Sequence, residues 1–430
     1  MNAVIDSSPL TMLFEQNNYL PHLVWLRDLQ KAQLAAFSER HFPTRREERW
    51  KYTDVSFVAK KFQENLFSWS EAKKLHDIEI KVSPSQIRLV FVNGYFSQAL
   101  SQLDLLANEI ILLPLSQALK THEELIKSIL TQPHDVNQHP FAGLNTALMT
   151  DGLFLFVPEN AVVTQPIHCL FINTDNNTLT APRNIIVAEA NSAVTLIEEY
   201  IGKENLYFTN TLTEIVAGRN AKINHYKIQH ESMQAAHMAN VFIDNAEDSL
   251  VKNFSLSRGA HLHREDINAT VGKRGAECQL HGFYYLTEDN QHVDYHLHVD
   301  HSAAHGISKM SYKGILNKKS HAVFNGKVHV HKDAKHIGAH QANHNLLLST
   351  TAAIDTKPEL EIYADDVKCT HGATVGQLDL ESLFYLRSRG IAKEEAMELL
   401  TQAFAVDVFD AIEDLSIKAY ILQQADFYHE

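Results

Sequence analysis

Cysteine is scarce in this chain. Cys169, Cys278 and Cys369 are the only three in 430 residues, and no C-x-x-C pair occurs. That excludes a zinc knuckle, a redox dithiol of the usual spacing, and a standing iron–sulfur cluster held by these thiols alone. Reduced cytoplasmic thiols are the simplest reading, and each is equally well explained as a small buried hydrophobe. Long apolar runs are missing too: no charge-free stretch approaches about 18 residues. Met1 to Leu20 has no basic segment leading into an apolar one, so neither export nor a membrane span is expected. Positive charge is in deficit, with 38 Lys and Arg against 52 Asp and Glu and a net charge of −14. Phosphate backbones and anionic lipid are therefore poor partners. A P-loop is also absent, because Gly202-Lys203, Gly272-Lys273 and Gly326-Lys327 are followed by Glu, Arg and Val. With no G-x-S-x-G elbow and no G-x-G-x-x-G after a strand, the chain is expected not to be an enzyme. Any ATP hydrolysis falls to another subunit.

What is present is ordinary globular composition, 45% hydrophobic and 21% charged. Residues 1–160 read as a helical and mixed α/β region. Leu23, Leu26, Leu29, Leu34 and Phe37 have amphipathic helical spacing up to Phe42-Pro43, Arg88 to Phe96 reads as a strand and turn, and Leu115 to Leu130 returns to helical spacing before Pro133. Residues 161–379 change character, with short β-rich runs divided by Gly, Asn, Asp and Lys turns. Turn-then-strand signatures at Ala193, Ala221, Ser249 and Ala276 lie 28, 28 and 27 residues apart, which predicts a repeating coil. The pattern then falters near Lys319-Ser320, Asp333-Ala334 and Asp365-Asp366, so insertions are expected. A β-solenoid fits best, since stacked coils bury a face that no coil buries alone. A two-sheet antiparallel sandwich is the competing architecture. Residues 380–430 are helical again. Asp379 is the N-cap and Gly390 the stop of a first helix, and Met397, Leu400, Phe404, Val408 and Ala411 form the apolar stripe of a second, between Ile391 and Ile412. These apolar faces must cover either the end of the β region or another protein.

Histidine is over-represented: of 26, 17 lie between His225 and His344. On a strand, His296 and His298, or His329 and His331, share a face as ligands of zinc or iron do, and as solvent-facing histidines do equally. A His-cluster metal-binding enzyme on a β-helix is thus the alternative reading; no stable metal site is assigned. A second constellation runs from Lys357-Pro358 through Asp365-Asp366 to Cys369, His371, Gly372 and Gly376. It predicts an edge strand after Pro358, a turn, and a strand with Cys369 and His371 on one side. A thiol beside an imidazole is a sensible transient ligand or sulfur acceptor, because imidazolium favours the thiolate. The alternative is a β-to-α junction with a buried Cys and a His on a carbonyl.

The run T-K-P-E-L-E-I-Y-A-D-D-V-K-C-T-H-G-A-T-V-G-Q-L-D, continued by L-F-Y-L-R-S-R-G-I, closely resembles the signature of the SufB/SufD family of iron–sulfur cluster assembly scaffold proteins, in its SufD form. Phe42-Pro-Thr-Arg45 with Glu48-Arg-Trp50-Lys-Tyr-Thr53, Val92-Asn93-Gly94-Tyr95 and Ala322-Val-Phe-Asn325-Gly326 resemble further family stretches. The SufB pattern of Cys and Glu and its cysteine-rich insertion are lacking. The resemblance implies a mainly β chain, a right-handed parallel β-helix between helical terminal regions. It implies a heterodimer with a SufB-like subunit, docking of a SufC-like ATPase on the C-terminal helices, and a homodimer for the isolated chain. On the helices that docking would use Leu383, Phe384, Leu386, Met397 and Leu400. It places Cys369 and His371 at the SufB-like interface as a cluster-assembly site. No cofactor is implied to be permanently bound: a transient iron–sulfur cluster is shared with the partner, and reduced flavin belongs to the whole complex.

Overall fold

The computed structural model describes residues 8–17, 19–20, 22–70, 84–132 and 135–426, and the helix stop expected at Pro133 lies outside them. From Arg183–Ala188 onward, successive strands go alternately to two sheets. The first sheet runs from Tyr95–Phe96 and Ile87–Val92 through Ile167–Asn173, Ala193–Gly202, Lys222–His230, Leu250–Ser257, Glu277–Leu286, Ile307–Leu316 and Gly338–Leu347 to Lys368–Gly376. The second runs from Ile111–Pro114 and Leu153–Val157 through Arg183–Ala188, Tyr207–Ala217, Ala236–Asn245, Leu262–Val271, His292–His301 and His321–Val330 to Ala353–Ile362. Neighbours are parallel except at the N-terminal edges, where Tyr95–Phe96 and Ile111–Pro114 pair antiparallel. The fold is a β-solenoid of about eight turns, not a sandwich. Its sheets reach back across residue 160, since Ile87 to Val92 pairs in register with Ile167 to Ile172.

The repeat does not falter after Ala276. Ala193 pairs with Lys222, then Leu250, Glu277, Ile307, Gly338 and Lys368 follow in register, so coils advance by 29, 28, 27, 30, 31 and 30 residues. Each coil has two bends. Lys319-Ser320 belongs to the bend before His321–Val330, whereas the earlier signatures belong to the other, so mixing the two made the period look broken. At that other bend Asn160, Asn191, Asn220, Asp248, Gly275, His305, His336 and Asp366 all take φ between 55° and 71°. Asn and Asp tolerate this left-handed conformation because their short polar side chains bond locally. Here the bonds run between coils: Asn220 Nδ2 donates to Asn191 Oδ1 and Asn191 Nδ2 to Asn160 Oδ1, each at 3.0 Å. At Gly275 a Cβ would stand 2.0 Å from Asp248 Oδ1, so a larger residue would push the Asp248 carboxylate aside.

The N-terminal helices cover the outer face of the second sheet, where Phe37, Phe42, Trp50 and Phe62 pack with Phe208, Met238 and Leu262. The segment Glu48 to Thr53 is latched there by polar contacts. Arg264 lies 3.7 Å over the Trp50 ring and donates to Arg49 O and to Asp294, while Arg49 reaches Asp266 at 3.0 Å and Thr53 Oγ1 reaches Asp294 at 2.5 Å. The Leu115 to Leu130 stretch is two helices, Leu115–Ala118 and Glu123–Leu130, rather than one.

The tail divides. Asp379 caps Leu380–Ser388 by accepting from the Glu381 and Ser382 amides, and Gly390, at φ 93°, ends it as expected. The next helix, Lys393–Ala405, stops short of Ile412; Val406–Ala411 tightens to 3-10, and a third helix, Leu415–Ala425, follows. Phe409, Ile417 and Ile421 pack on Ile197, Phe254, Phe283 and Ile315, so this part covers the outer face of the first sheet, not the end of the solenoid. No helix among the described residues is long and apolar enough to cross a membrane.

Candidate functional site

The last coil is built from Ala353–Ile362, a turn, and Lys368–Gly376. The first of these begins five residues before Pro358 and carries it mid-strand. Amides at Ala353 and Tyr363 donate inward, to Ser320 and Val330, so by alternation position 358 faces its amide to the outer edge. Proline lacks that donor, which an edge strand tolerates. Ile354, Leu360, Ala364 and Val367 pack back on the core, and Asp366 takes the left-handed turn position.

Cys369, His371, Ala373 and Val375 stand over Ala339, Gln341, Asn343 and Asn345, all buried one coil back. They are therefore the inward row of the solenoid, uncovered because the coil stack stops: Cys369 is half-buried and His371 exposed. Where a Cβ would stand at Gly372 or Gly376, nothing lies within 4 Å. Behind His371, Gln341 donates to Gly326 O at 2.7 Å, while its Oε1 is enclosed without a hydrogen-bond partner among the described residues. Asn343, Asn345 and Tyr284 continue a bonded polar column inward.

Burial pushes the Cys369 thiol up, and a hydrogen bond with the Ala339 backbone opposes the shift. Cys169 and Cys278 are fully buried core residues.

Of the five docking residues expected on the tail, Phe384 is 74% exposed, whereas Leu383, Leu386, Met397 and Leu400 are half-buried. Sequence reasoning missed Leu380, Tyr385 and Leu399, which are exposed beside them. No residue of Leu380–Ser388 is buried.

The histidines split by face. His225, His237 and His263 point into the solenoid: His225 bonds Glu198 at 2.9 Å, His237 bonds Glu231 at 2.6 Å, and His263 bonds Ser257 at 2.7 Å. Burial opposes the Glu198 charge, but His225, Lys227 and the Tyr200 hydroxyl outweigh it and hold the group down at about 2. Burial pushes Glu231 up to about 7 despite hydrogen bonds from Thr209, Gln229 and Asn173. Period-two spacing shows which residues share a face, but not that this face points inward. On the outer face of the second sheet, His296, His298 and Asp300 alternate along one strand and Lys327 and His329 along its neighbour.

The described chain is thus a parallel solenoid with a closed start, an open last coil carrying Cys369 and His371, and a partly uncovered helical tail. Two family models cover the chain: "SufBD protein N-terminal region" matches residues 10–169, and "SUF system FeS cluster assembly, SufBD core domain" matches residues 171–404. An iron–sulfur cluster assembly SufBD family protein of Synechocystis is 33% identical over 89% of this chain and 86% of that relative. The iron–sulfur cluster assembly proteins SufD of Escherichia coli and Bacillus subtilis are 29% and 26% identical, over 88% and 82% of this chain and 88% and 80% of their own lengths. The chain belongs to the SufBD family of iron–sulfur cluster assembly proteins.

Proposed function

We propose that the chain is a non-catalytic scaffold subunit that pairs through its last coil with a SufB-like homologue, docks a SufC-like ATPase on its exposed tail helices, and presents Cys369 and His371 to a transiently assembled cluster. The observation that carries this reading is the open coil end. Both sheets stop there with no further strand bonded to either among the described residues. Two parallel edges and Ile362, Tyr363 and Val375 are left uncovered. Such an edge is a template for another chain, and in isolation the same edges make a homodimer the expected state. A solenoid of the same coil geometry continues both sheets at once and buries the inward row beside its own residues.

The test is co-purification of the tagged chain with its SufB-like and SufC-like partners. The Lys368 amide donates inward, to Ile337, so by alternation the Ala373 amide faces the outer edge. Ala373→Pro removes that donor while leaving the internal ladder intact. It is expected to abolish recovery of the SufB-like subunit and spare the ATPase. Wild-type recovery of the SufB-like subunit would refute end-to-end pairing.

A further inference from the structure

The outer face of the second sheet brings together groups that the function proposed above does not call on. Along His292–His301, position 300 faces outward; along the adjacent His321–Val330, its in-register partner is His329. One ligand atom each from His298, Asp300 and His329 lies within 4.8 Å of the other two. His329 Nδ1 is 2.6 Å from Asp300 Oδ1, and His331 Nε2 is 2.9 and 3.0 Å from the two oxygens of the same carboxylate. The His329 and His331 rings lie 4.3 Å apart. His298 Nε2 is enclosed and has no hydrogen-bond partner among the described residues. The nearby cation is already engaged: Lys327 Nζ pairs with Glu361 at 2.8 Å. The cluster is half-buried and borders the cleft between Glu48-Arg49 and the sheet.

We propose that His298, Asp300, His329 and His331 bind one divalent transition-metal ion of the zinc or iron(II) class. Three imidazoles and one carboxylate are the donor set of such ions, being too nitrogen-rich for calcium or magnesium. Metal–ligand bonds of about 2.0–2.2 Å put neighbouring ligand atoms roughly 3–3.5 Å apart, a span the side chains reach by small rotations. The metal would satisfy His298 Nε2 and convert the His–Asp hydrogen bonds into ligation. Two adjacent parallel strands fix His298, Asp300 and His329, and His331 follows directly after the second of them, so the strands themselves need not move. A surface His–Asp pair would account for His329 and Asp300 but leaves His298 unexplained.

Cobalt(II) is the probe, because its visible absorption reports ligand number and geometry. The purified full chain, stripped with chelator, is titrated with Co2+ and then back-titrated with Zn2+. One equivalent of Co2+ is expected, displaced by Zn2+. His298→Ala and His329→Ala each weaken it by at least about tenfold, and His331→Ala retains a site with altered visible absorption. Cys369→Ser/His371→Ala keeps the full equivalent, which separates this site from the coil end. Unchanged thermal unfolding of the metal-free variants checks that the fold survives. Absence of stoichiometric Co2+ uptake by the wild-type chain overturns the proposal. So does undiminished binding by the His298→Ala/His329→Ala double variant, or loss of the equivalent in Cys369→Ser/His371→Ala.

Discussion

The two ends of the solenoid share coil geometry and differ in everything that covers it. At the N-terminal end, the Asn93-Gly94 turn folds Tyr95–Phe96 back against the first sheet, Arg88 and Gln102 exchange backbone hydrogen bonds at 2.7 Å, and Leu103 and Leu106 pack onto the core. The second sheet is closed by Ile111–Pro114 in the same antiparallel way. At the other end neither Ala353–Ile362 nor Lys368–Gly376 contains a buried residue. A coil stack requires caps; at the N-terminal end this chain supplies one, and under the proposed pairing a second molecule supplies the other. The N-terminal edge strands are only 2 and 4 residues long, whereas the last coil presents edges of 10 and 9 residues, each a longer template for another strand.

The largest expected effect breaks the closed end. Phe91 is 1% exposed and stacks on Phe171 at 5.0 Å, which in turn stacks on Tyr200 at 4.7 Å. Phe91→Ala is expected to cost about 3–5 kcal/mol in denaturant unfolding, the usual cost of removing a core aromatic. Val375→Ala, at the 49% exposed counterpart position of the open end, is expected to stay within about 0.5 kcal/mol. Comparable losses at the two sites would erase the distinction between cap and interface.

A pH titration sharpens the contrast between closed interior and open end. Glu231 lies fully enclosed among His237, Thr209, Gln229, Asn173 and Lys227, and its folded-state value is about 7. In the unfolded chain it is about 4.3. The charged form is therefore disfavoured in the fold, so stability falls as pH rises from about 4 to about 7 and levels off above that. The shift corresponds to about 4 kcal/mol. Glu231→Gln removes the titrating carboxyl but turns one acceptor oxygen toward amide donors from Asn173 or Gln229, so it is expected to lower stability throughout and to remove this slope in thermal unfolding between pH 4.5 and 8. Parallel wild-type and variant curves across that window would show that Glu231 does not titrate there.

Much of this architecture is legible in the sequence because the αL bend demands particular residues. Asn191, Asn220, Asp248 and Gly275 mark one bend of every early coil, and Asp379 and Gly390 mark the first tail helix at both ends. The second bend is less marked, and reading both as one series hid the period after Ala276. Which polar residues point inward was not legible. A buried Glu198 or His237 is made tolerable by partners 27 residues away in Glu198–His225, or across a bend in Glu231–His237, and neither pair has a spacing that marks it in the sequence. The same holds for the outer cluster. His329-x-His331 is visible as a pair, but Asp300 joins it only through parallel register. The tail's third helix was missed because its apolar residues match a sheet face that only the folded solenoid creates.

Within the tail, the covered and uncovered parts give a smaller effect. Phe384→Ala is expected to leave unfolding within about 0.5 kcal/mol and to weaken ATPase docking about tenfold or more, as loss of an exposed aromatic anchor does. Phe409→Ala, on the part packed against Phe254 and Phe283, is expected to destabilise the chain instead. Docking affinity by calorimetry, beside unfolding of the free chain, separates the two roles. Undiminished docking by Phe384→Ala would move the ATPase elsewhere.

The smallest effect on folding is expected at His371, where it is most informative. The residue is exposed, it stands over Gln341 with empty space at the following glycine, and none of the described hydrogen bonds of the last coil depends on its ring. His371→Ala is therefore expected to unfold like the wild type, within about 0.5 kcal/mol, and to pair with the SufB-like subunit at normal yield. The thiol of Cys369 stays in place but, held up by burial, has lost the neighbouring ring that could take its proton when a metal or sulfur donor arrives. Cluster formation, followed by visible absorption after supplying iron and a sulfur donor to the complex, is expected to fail. If pairing fell together with cluster formation, His371 would be an interface residue only. If full cluster assembly persisted in the intact complex, the coil end would be a docking surface without chemistry of its own.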